Sequence, residues 1–259
     1  MEGVLTPDLN RRVGQAMHTY DMLADGDRVL LAVSGGVDSL VLSWLLMFWQ
    51  SKAPIFYELQ ALHIDMDPDG ELPGIAARSV QETLECFHIP ITIIPAAWQP
   101  PSSKSLLLDQ NKDVCFNCSK SRRKQLFDFA GVNDCNKIAF GHHQDDIIET
   151  FFINLCYGGN ISTMVPRQDI FQGSLSLIRP LAFLTKEEIY KIADVLELEP
   201  VRTKCPLSEK TKRMDIRNIL HELYKKIPEA RQHIFASLAN VRHDYLLKPV
   251  HGKRVGKGE

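Results

Sequence analysis

No run of about 18 apolar residues occurs in the sequence, so a membrane-spanning helix is not expected. The start, Met1-Glu2-Gly3-Val4, lacks the basic stretch and apolar run of a secretory signal, which predicts a cytoplasmic location. Internal repeats and low-complexity tracts are also missing. Net charge is only −2, from 30 Lys+Arg against 32 Asp+Glu. Bulk charge therefore does not mark a polyanion binder, and any such surface has to come from local clustering. Cysteine is sparse: six in 259 residues, two of them as Cys115-x-x-Cys118. That usage argues against a disulfide-stapled secreted scaffold and suits reduced thiols in a cytosolic enzyme. The chain is 44% hydrophobic and 24% charged, enough for one sizeable α/β core with a small appendage.

One stretch organises the rest. Arg28-Val29-Leu30-Leu31-Ala32-Val33 reads as a buried parallel strand, and Leu40 to Trp49 as a core helix. Between them lies Ser34-Gly35-Gly36-Val37-Asp38-Ser39. Two adjacent glycines allow positive φ and let the backbone approach a bulky anion. The following helix aims free N–H groups and its positive dipole end at the loop, and Ser34 and Ser39 add hydroxyl donors. The G-x-x-x-x-G-K-[ST] spacing and its lysine are absent, so this phosphate cradle is not a Walker A loop. A Gly-Gly turn without a ligand is the alternative; both flanks and both serines favour the anion site.

Strand and helix patterns then alternate, which predicts a doubly wound α/β fold. Thr6-Pro7-Asp8 starts a first helix. Glu58 to Asp65 reads as a second strand, Ile75 to Phe87 as an amphipathic helix, Ile89 to Ile94 as a third strand, and Lys137 to Phe140 as a short fourth. Ligands in such sheets bind beyond the carboxyl ends of the strands, which puts Asp65 near the ligand of the phosphate cradle; a solvated strand end is its bland alternative. Ala96 to Asp113 and Tyr157 to Ser176 read as loops. Asp145 and Asp146 sit at the N-terminus of a helix after the fourth strand, where carboxylates are favoured and can reach a metal. Thr185-Lys186-Glu187-Glu188 is a capping box. A last helix is expected from Pro228-Glu229 through Leu246, followed by a basic, glycine-rich tail expected to be disordered. The predicted organisation is an N-terminal helix (1–27), an α/β domain carrying the phosphate cradle and the Cys-x-x-Cys helix (28–198), a basic helical C-terminal segment with the third notable cysteine (199–247), and the tail (248–259).

Cys115 and Cys118 can chelate one soft metal centre, and Cys205, far downstream, can close it. Zinc would need a fourth ligand, for which His88, His142 and His143 are candidates. A redox dithiol would sit in a thioredoxin-like unit, which this order of elements does not offer. An iron–sulfur cluster on three cysteines leaves one iron open. Cys86, Cys135 and Cys156 have no partner spacing and are expected to be small buried residues.

The loop Ser34 to Ser39 resembles the PP-loop of the ATP pyrophosphatase superfamily. Together with Cys115-x-x-Cys118-Ser119-x-x-Arg122-Arg123, Gly141-His142-His143-x-Asp145-Asp146 and the late Cys205, in that order, it resembles the TtcA family, the tRNA 2-thiocytidine synthetases. The match runs from about Val29 to the helix carrying Phe235 to Val241. The resemblance implies an adenine nucleotide α-hydrolase-like fold and an ATP-dependent, AMP-forming tRNA sulfurtransferase acting at carbon 2 of a cytidine at tRNA position 32. It implies ATP on Ser34, Gly35, Gly36, Val37, Asp38 and Ser39, with His63, Asp65, Gly141 and His142 lining the nucleotide. It implies Mg²⁺ held with the help of Asp38, and a [4Fe–4S] cluster on Cys115, Cys118 and Cys205. Asp38, Arg122 and Asp145 are the expected catalytic residues. Expected partners are tRNA, a sulfur donor such as a cysteine desulfurase or hydrosulfide, and a second copy in a homodimer. The chain departs from the family in Val37, where lysine is frequent, and in the lack of a second cysteine beside Cys205. A lysidine synthetase would share the adenylation but not need the three cysteines; a zinc-binding RNA adaptor would bind tRNA without consuming ATP. From Arg202 to Lys226 there are eight Lys/Arg and three Asp/Glu. This segment and Lys120 to Lys124 are the expected tRNA surface.

Overall fold

The structure, a computed structural model, describes residues 3–99, 112–201 and 211–247. The third-cysteine loop around Cys205, the tail from Lys248 and most of the loop expected over Ala96 to Asp113 lie outside the described residues.

Among the described residues the order is α1 (Pro7–Thr19), β1 (Asp27–Ala32), α2 (Val37–Gln50), β2 (Tyr57–Asp65), α3 (Ile75–Cys86), β3 (Ile91–Pro95), α4 (Lys112–Val132), β4 (Lys137–Ala139), α5 (Gln144–Gly158), β5 (Arg167–Ile170), β6 (Leu175–Ile178), α6 (Lys186–Val195), α7 (Lys212–Lys226) and α8 (Ala230–Ser237). The strands form one sheet in the order β3-β2-β1-β4-β6-β5. Every neighbouring pair is parallel except β5, which runs antiparallel to β6. The expected doubly wound α/β class is borne out. Strand order reverses between β1 and β4, so the crevice at their carboxyl ends is the switch point where such folds bind ligands.

Period-two alternation puts β1 to work on both faces of the sheet. Val29 and Leu31 join one core with α1, α2, α3 and α6, through Leu9, Val13, Leu40, Trp44, Val80 and Ile189. Leu30 points the other way, into a second core with Leu126 and Ala130 of α4 and Ile138 of β4. A third, smaller cluster joins Ile148 of α5 to Ile216 and Leu220 of α7. That cluster anchors the C-terminal helices on the main body.

Two expectations are corrected. Tyr157 to Ser176 is not simply a loop: it carries β5 and the start of β6. β5 reads Arg167-Gln168-Asp169-Ile170, a polar edge strand without apolar alternation, and charge on an edge strand discourages further pairing. The turn joining it to β6 puts Phe171 and Gln172 at positive φ, which neither residue type signals. The last helix does not reach Leu246 but ends at Ser237. Val241, Tyr245 and Leu246, whose spacing suggested helix, are exposed and have no core to join. Of the three unpartnered cysteines, Cys135 is buried as expected, whereas Cys86 and Cys156 are exposed near the ends of α3 and α5.

The third cluster gives a direct test. Leu220 is 4% exposed, and Ile219 beside it is 58% exposed. Leu220→Ala is expected to cost about 2–5 kcal/mol in urea unfolding, against about 0.5 kcal/mol or less for Ile219→Ala.

Candidate active site at the carboxyl edge of the sheet

The loop after β1 is pre-shaped. Gly35 has φ +84°, and a β-carbon there would lie 2.8 Å from Val80 and 3.3 Å from Val201. The loop is held by its own serines. The Gly36 N–H donates to Ser34 Oγ (3.3 Å), Ser39 Oγ donates to the Gly36 carbonyl (2.8 Å), and the two hydroxyls lie 3.3 Å apart. Gly36 caps α2 without a side chain, so the first N–H groups of α2 stay open to an anion.

The second wall is Gly141-His142-His143, between β4 and α5. A β-carbon on Gly141 would lie 2.8 Å from the Asp38 carbonyl group and 3.0 Å from the Ser39 nitrogen. Only glycine lets this segment rest on the first turn of α2, which gives Gly141 a steric role beside any nucleotide contact. The third wall is the start of α6. Its expected capping box is present: Glu188 N–H donates to Thr185 Oγ1 (3.3 Å) and Thr185 N–H to Glu188 Oε2 (2.8 Å).

These walls gather three carboxylates, each met by a cation from a different helix. Asp38 on α2 accepts from Lys186 Nζ of α6 through both oxygens, at 2.6 and 2.7 Å. Asp145 on α5 accepts the Lys186 backbone N–H at 2.8 Å and lies 3.3 Å from Arg231 of α8. Asp146 accepts the His143 N–H at 3.1 Å and the Arg213 guanidinium of α7 at 2.9 Å. The His143 ring, 4% exposed, sits among them, with Nε2 3.3 Å from Asp146 and 3.9 Å from Asp38, and Nδ1 3.7 Å from Asp145.

Lys186 and His143 are the residues that sequence reasoning underweighted. Lys186 was legible as the first residue of a helix following a strand, and so as a side chain at the carboxyl edge. His143 was legible only as a possible zinc ligand; its neighbours show it to be a hub for acids.

Three other expected site residues make structural contacts at the same edge. His63 is buried, with Nδ1 2.9 Å from the Val33 carbonyl, and burial lowers its pKa. Asp65 is neither solvated nor open: it accepts the Asp67 N–H (3.0 Å) and the Gly74 N–H (2.7 Å), folding the 66–74 segment back on the strand end. His142 stacks on Phe140 with ring centroids 5.5 Å apart, and burial lowers its pKa to about 4.

α4 brings the cysteines to the same edge. Gln125 ties α4 to the end of β3, donating to the Pro95 carbonyl (2.9 Å) and accepting the Ala97 N–H (3.0 Å). From there α4 covers the sheet toward its opposite edge, where Asn136 bonds Asp27 at the start of β1. The turns before Gln125 therefore project past the carboxyl edge, and a helical rise of about 1.5 Å per residue carries Cys118 about 10 Å beyond it. Cys115 is exposed and Cys118 half-buried, one helical turn apart, so two thiols can meet one soft metal. Arg122 is exposed one turn further along. Among the described residues no group of three or more His, Cys, Asp or Glu is placed to hold a metal ion, and Cys205 lies outside them.

The basic C-terminal segment is less available than its charge count suggests. Arg217 grips buried Glu149 at 2.7 and 3.1 Å, and Arg213 reaches Glu149 at 3.4 Å as well as Asp146. Arg231 holds Glu187 at 2.7 and 2.9 Å, which pulls the Glu187 carboxyl down to about 2. These arginines fasten α7 and α8 to α5 and α6.

Two tests follow. Lys186→Met should raise the ATP dissociation constant about tenfold or more, as loss of a charge-assisted contact does; calorimetry showing tighter binding would make Lys186 only a competitor for Asp38. For His142 the folded pKa of about 4 lies below the ordinary 6.5, so the unfolded chain binds the proton first as pH falls. Its contribution is complete above pH 6.5 and is lost on going down to about pH 4, with a slope of up to about 1.4 kcal/mol per pH unit. Urea melts across that window should be flatter for His142→Gln.

Comparison with known proteins agrees with this geometry. The family model described as PP-loop domain matches residues 5–224. The tRNA-cytidine(32) 2-sulfurtransferase of Alkalilimnicola ehrlichii is 34% identical over 239 residues, covering 92% of this chain and 74% of the relative. The tRNA-cytidine(32) 2-sulfurtransferase 1 of Francisella tularensis subsp. tularensis is 33% identical over 238 residues, covering 92% and 87%. Among solved structures, the U34-tRNA thiolase NcsA from Methanococcus maripaludis with its [4Fe-4S] cluster superposes with a TM-score of 0.68 at 24% identity, over 90% of this chain and 78% of that one, which establishes a shared fold. The chain belongs to the PP-loop family and, within it, to the tRNA-cytidine(32) 2-sulfurtransferases.

Proposed function

We propose that the protein adenylates the C2 oxygen of cytidine 32 in tRNA with ATP and replaces that oxygen with sulfur; the names of its relatives give the 2-sulfur transfer to tRNA cytidine 32, and the PP-loop supports the use of ATP. The observation that carries this reading is the meeting of two chemistries at one edge: the phosphate loop at the β1 end, and the Cys115–Cys118 turn of α4 projecting past the same edge.

The steps balance without an oxidant. The C2 oxygen attacks the α-phosphorus of ATP and pyrophosphate leaves. Hydrosulfide then attacks C2, the C–O bond breaks and AMP departs with the oxygen. Negative charge gathers on the α-phosphate in the first step, and fixed donors in a dry site stabilise it without reorganising. Gly35, Gly36, Val37, Ser34 and Ser39 supply N–H and hydroxyl donors. Lys186, bonded to Asp38 before nucleotide arrives, supplies the positive charge the loop itself lacks. Asp38 would hold Mg²⁺, which would neutralise phosphate charge, and Lys186 would then be free to meet the phosphates. Asp145 sets the start of α6 and so the position of Lys186. Arg122, exposed on α4, would meet the reacting phosphate, and His142, neutral at pH 7, would line the pocket.

Cys115, Cys118 and Cys205 would hold the [4Fe–4S] cluster. The thiol pair fits such a group by donor type and spacing, and both flanks of the Cys205 segment attach at the site: Val201 N–H donates to the Gly35 carbonyl (3.0 Å), and Thr211 caps α7, whose Arg213 grips Asp146. When bound, the cluster supplies an iron position able to carry sulfide to the activated carbon. The tRNA surface is assigned to Lys120, Arg122 and Arg123 of α4 and to Lys212, because Arg213 and Arg217 are committed to carboxylates. A cysteine desulfurase or free hydrosulfide as donor, a homodimer and a cytoplasmic setting complete the reading on family resemblance.

Anaerobically purified protein and its Cys118→Ser variant provide the test. The wild type should be brown, contain iron and thiolate tRNA; the variant should lose iron and thiolation while still binding ATP. A colourless wild type, or full thiolation by Cys118→Ser, would overturn the cluster-based mechanism.

A further inference from the structure

Arg179 follows β6 directly and is only 6% exposed. Its backbone is fixed on both sides: its N–H donates to the Pro166 carbonyl (2.9 Å), and its carbonyl accepts the Ala182 N–H (3.0 Å). One guanidinium nitrogen donates to the Val165 carbonyl, whereas buried Nε has no partner. Buried cations are ordinarily paired with an anion, because an unpaired charge in a low-dielectric interior is costly. Among the described residues no carboxylate meets this one.

The surroundings make the imbalance larger. Burial, together with the positive charge of Arg123 on α4, pushes the Arg179 pKa down to about 10, which still leaves it charged at neutral pH. The Phe140 N–H donates to the Ile178 carbonyl (2.9 Å), which sets Arg179 beside Phe140 at the ends of β4 and β6, and His142 stacks on that Phe140 ring; Arg179 and Arg213 accordingly work against protonation of His142. The Nδ1 of His142 is likewise buried without a partner. The carboxylate in that neighbourhood, Asp146, is already occupied by Arg213 and the His143 N–H. Leu177 of β6 packs in one cluster with Leu126 and Phe127 of α4, one turn from Arg123, whereas α2 belongs to the cluster on the other face; positive charge and unfilled polar atoms thus coincide on the α4 face of the sheet at these strand ends.

We propose that Arg179, with Arg123 of α4, forms a phosphate-binding site under α4, distinct from the glycine loop, that takes a phosphate oxyanion between the carboxyl ends of β4 and β6 and the projecting turns of the helix. Two sources present that chemistry: the pyrophosphoryl end of the nucleotide, and a backbone phosphodiester of the RNA next to the reacting base. The choice between them rests on the proposed thiolase reading; the site itself does not.

Binding measurements with wild type, Arg179→Met and Arg179→Lys test it. Methionine keeps much of the volume and removes the charge, and lysine restores charge without the planar fork. Inorganic phosphate and pyrophosphate, compared with chloride at equal ionic strength, should raise the wild-type melting temperature and should do so much less in Arg179→Met. Affinity for either ATP or tRNA should fall about tenfold or more in Arg179→Met, with partial recovery in Arg179→Lys. Weaker ATP binding assigns the site to the nucleotide. Weaker tRNA binding, with a salt slope reduced by about 0.7–0.9, assigns it to the RNA backbone. If Arg179→Met does not fold, exposed Arg123→Ala carries the phosphate, pyrophosphate and ATP measurements and Arg179→Lys the tRNA one, because Arg123 also stands on the assigned tRNA surface. A folded variant with unchanged affinity for phosphate, pyrophosphate, ATP and tRNA overturns the proposal. Phosphate binding that depends on Arg179 in a protein that never thiolates tRNA would sink the thiolase reading and leave the site standing.

Discussion

Three carboxylates at two helix starts, gathered around one buried imidazole, are the constraint on which the rest of the site depends. Asp38, Asp145 and Asp146 would repel one another across a low-dielectric edge if left unpaired. Their helix N-termini favour negative charge, and Lys186, Arg231 and Arg213 supply compensating positive charge from three other helices. The close approach that makes this possible is steric as much as electrostatic. Gly141 lies against the first turn of α2 because it has no β-carbon, and that contact brings the α5 start within reach of Asp38.

The same arrangement explains the C-terminal helices. α7 and α8 share a modest apolar cluster with α5, and their arginines bind Glu149, Asp146, Asp145 and Glu187. Glu149 is buried, so removing its partners would strand a charge, which costs more than losing a surface pair. Basic residues that look in sequence like a polyanion surface therefore act partly as fasteners. Fastening matters for the chemistry, because the segment containing Cys205 leaves the described chain at Val201, bonded to Gly35, and returns at Thr211 beside the α5 start.

Much of this was legible in the residues. The run Val29 to Val33, the Gly35-Gly36 pair and the apolar helix behind them specify strand, turn and helix by period and composition, and the structure repeats them with Gly35 at positive φ. The Thr185 capping box was readable because its hydrogen bonds are local. The β5–β6 hairpin was not, because a polar four-residue edge strand has no periodic signature and its turn uses left-handed Phe171 and Gln172. Nor could spacing show that Lys186 meets Asp38 across 148 positions, or that Arg213 and Arg217 face inward to carboxylates. Those facts belong to packing, which sequence pattern constrains only through which faces are apolar. The Cys115–Cys118 pair was legible from helix spacing as a chelate for one soft metal, and family resemblance added the expectation of a cluster; where that pair lies relative to the phosphate loop required the path of α4 across the sheet.

The joint use of one edge by nucleotide activation and sulfur transfer can be measured in a single turnover. Cluster-loaded protein is mixed anaerobically with α-phosphate-labelled ATP, hydrosulfide and unmodified tRNA, and labelled AMP and 2-thiocytidine are counted together. One AMP per thiolated cytidine, with no ADP and no AMP when tRNA is left out, is the expected result. Sulfur insertion without ATP cleavage, or cleavage to ADP, would contradict an adenylating loop and a sulfur-delivering helix serving one substrate.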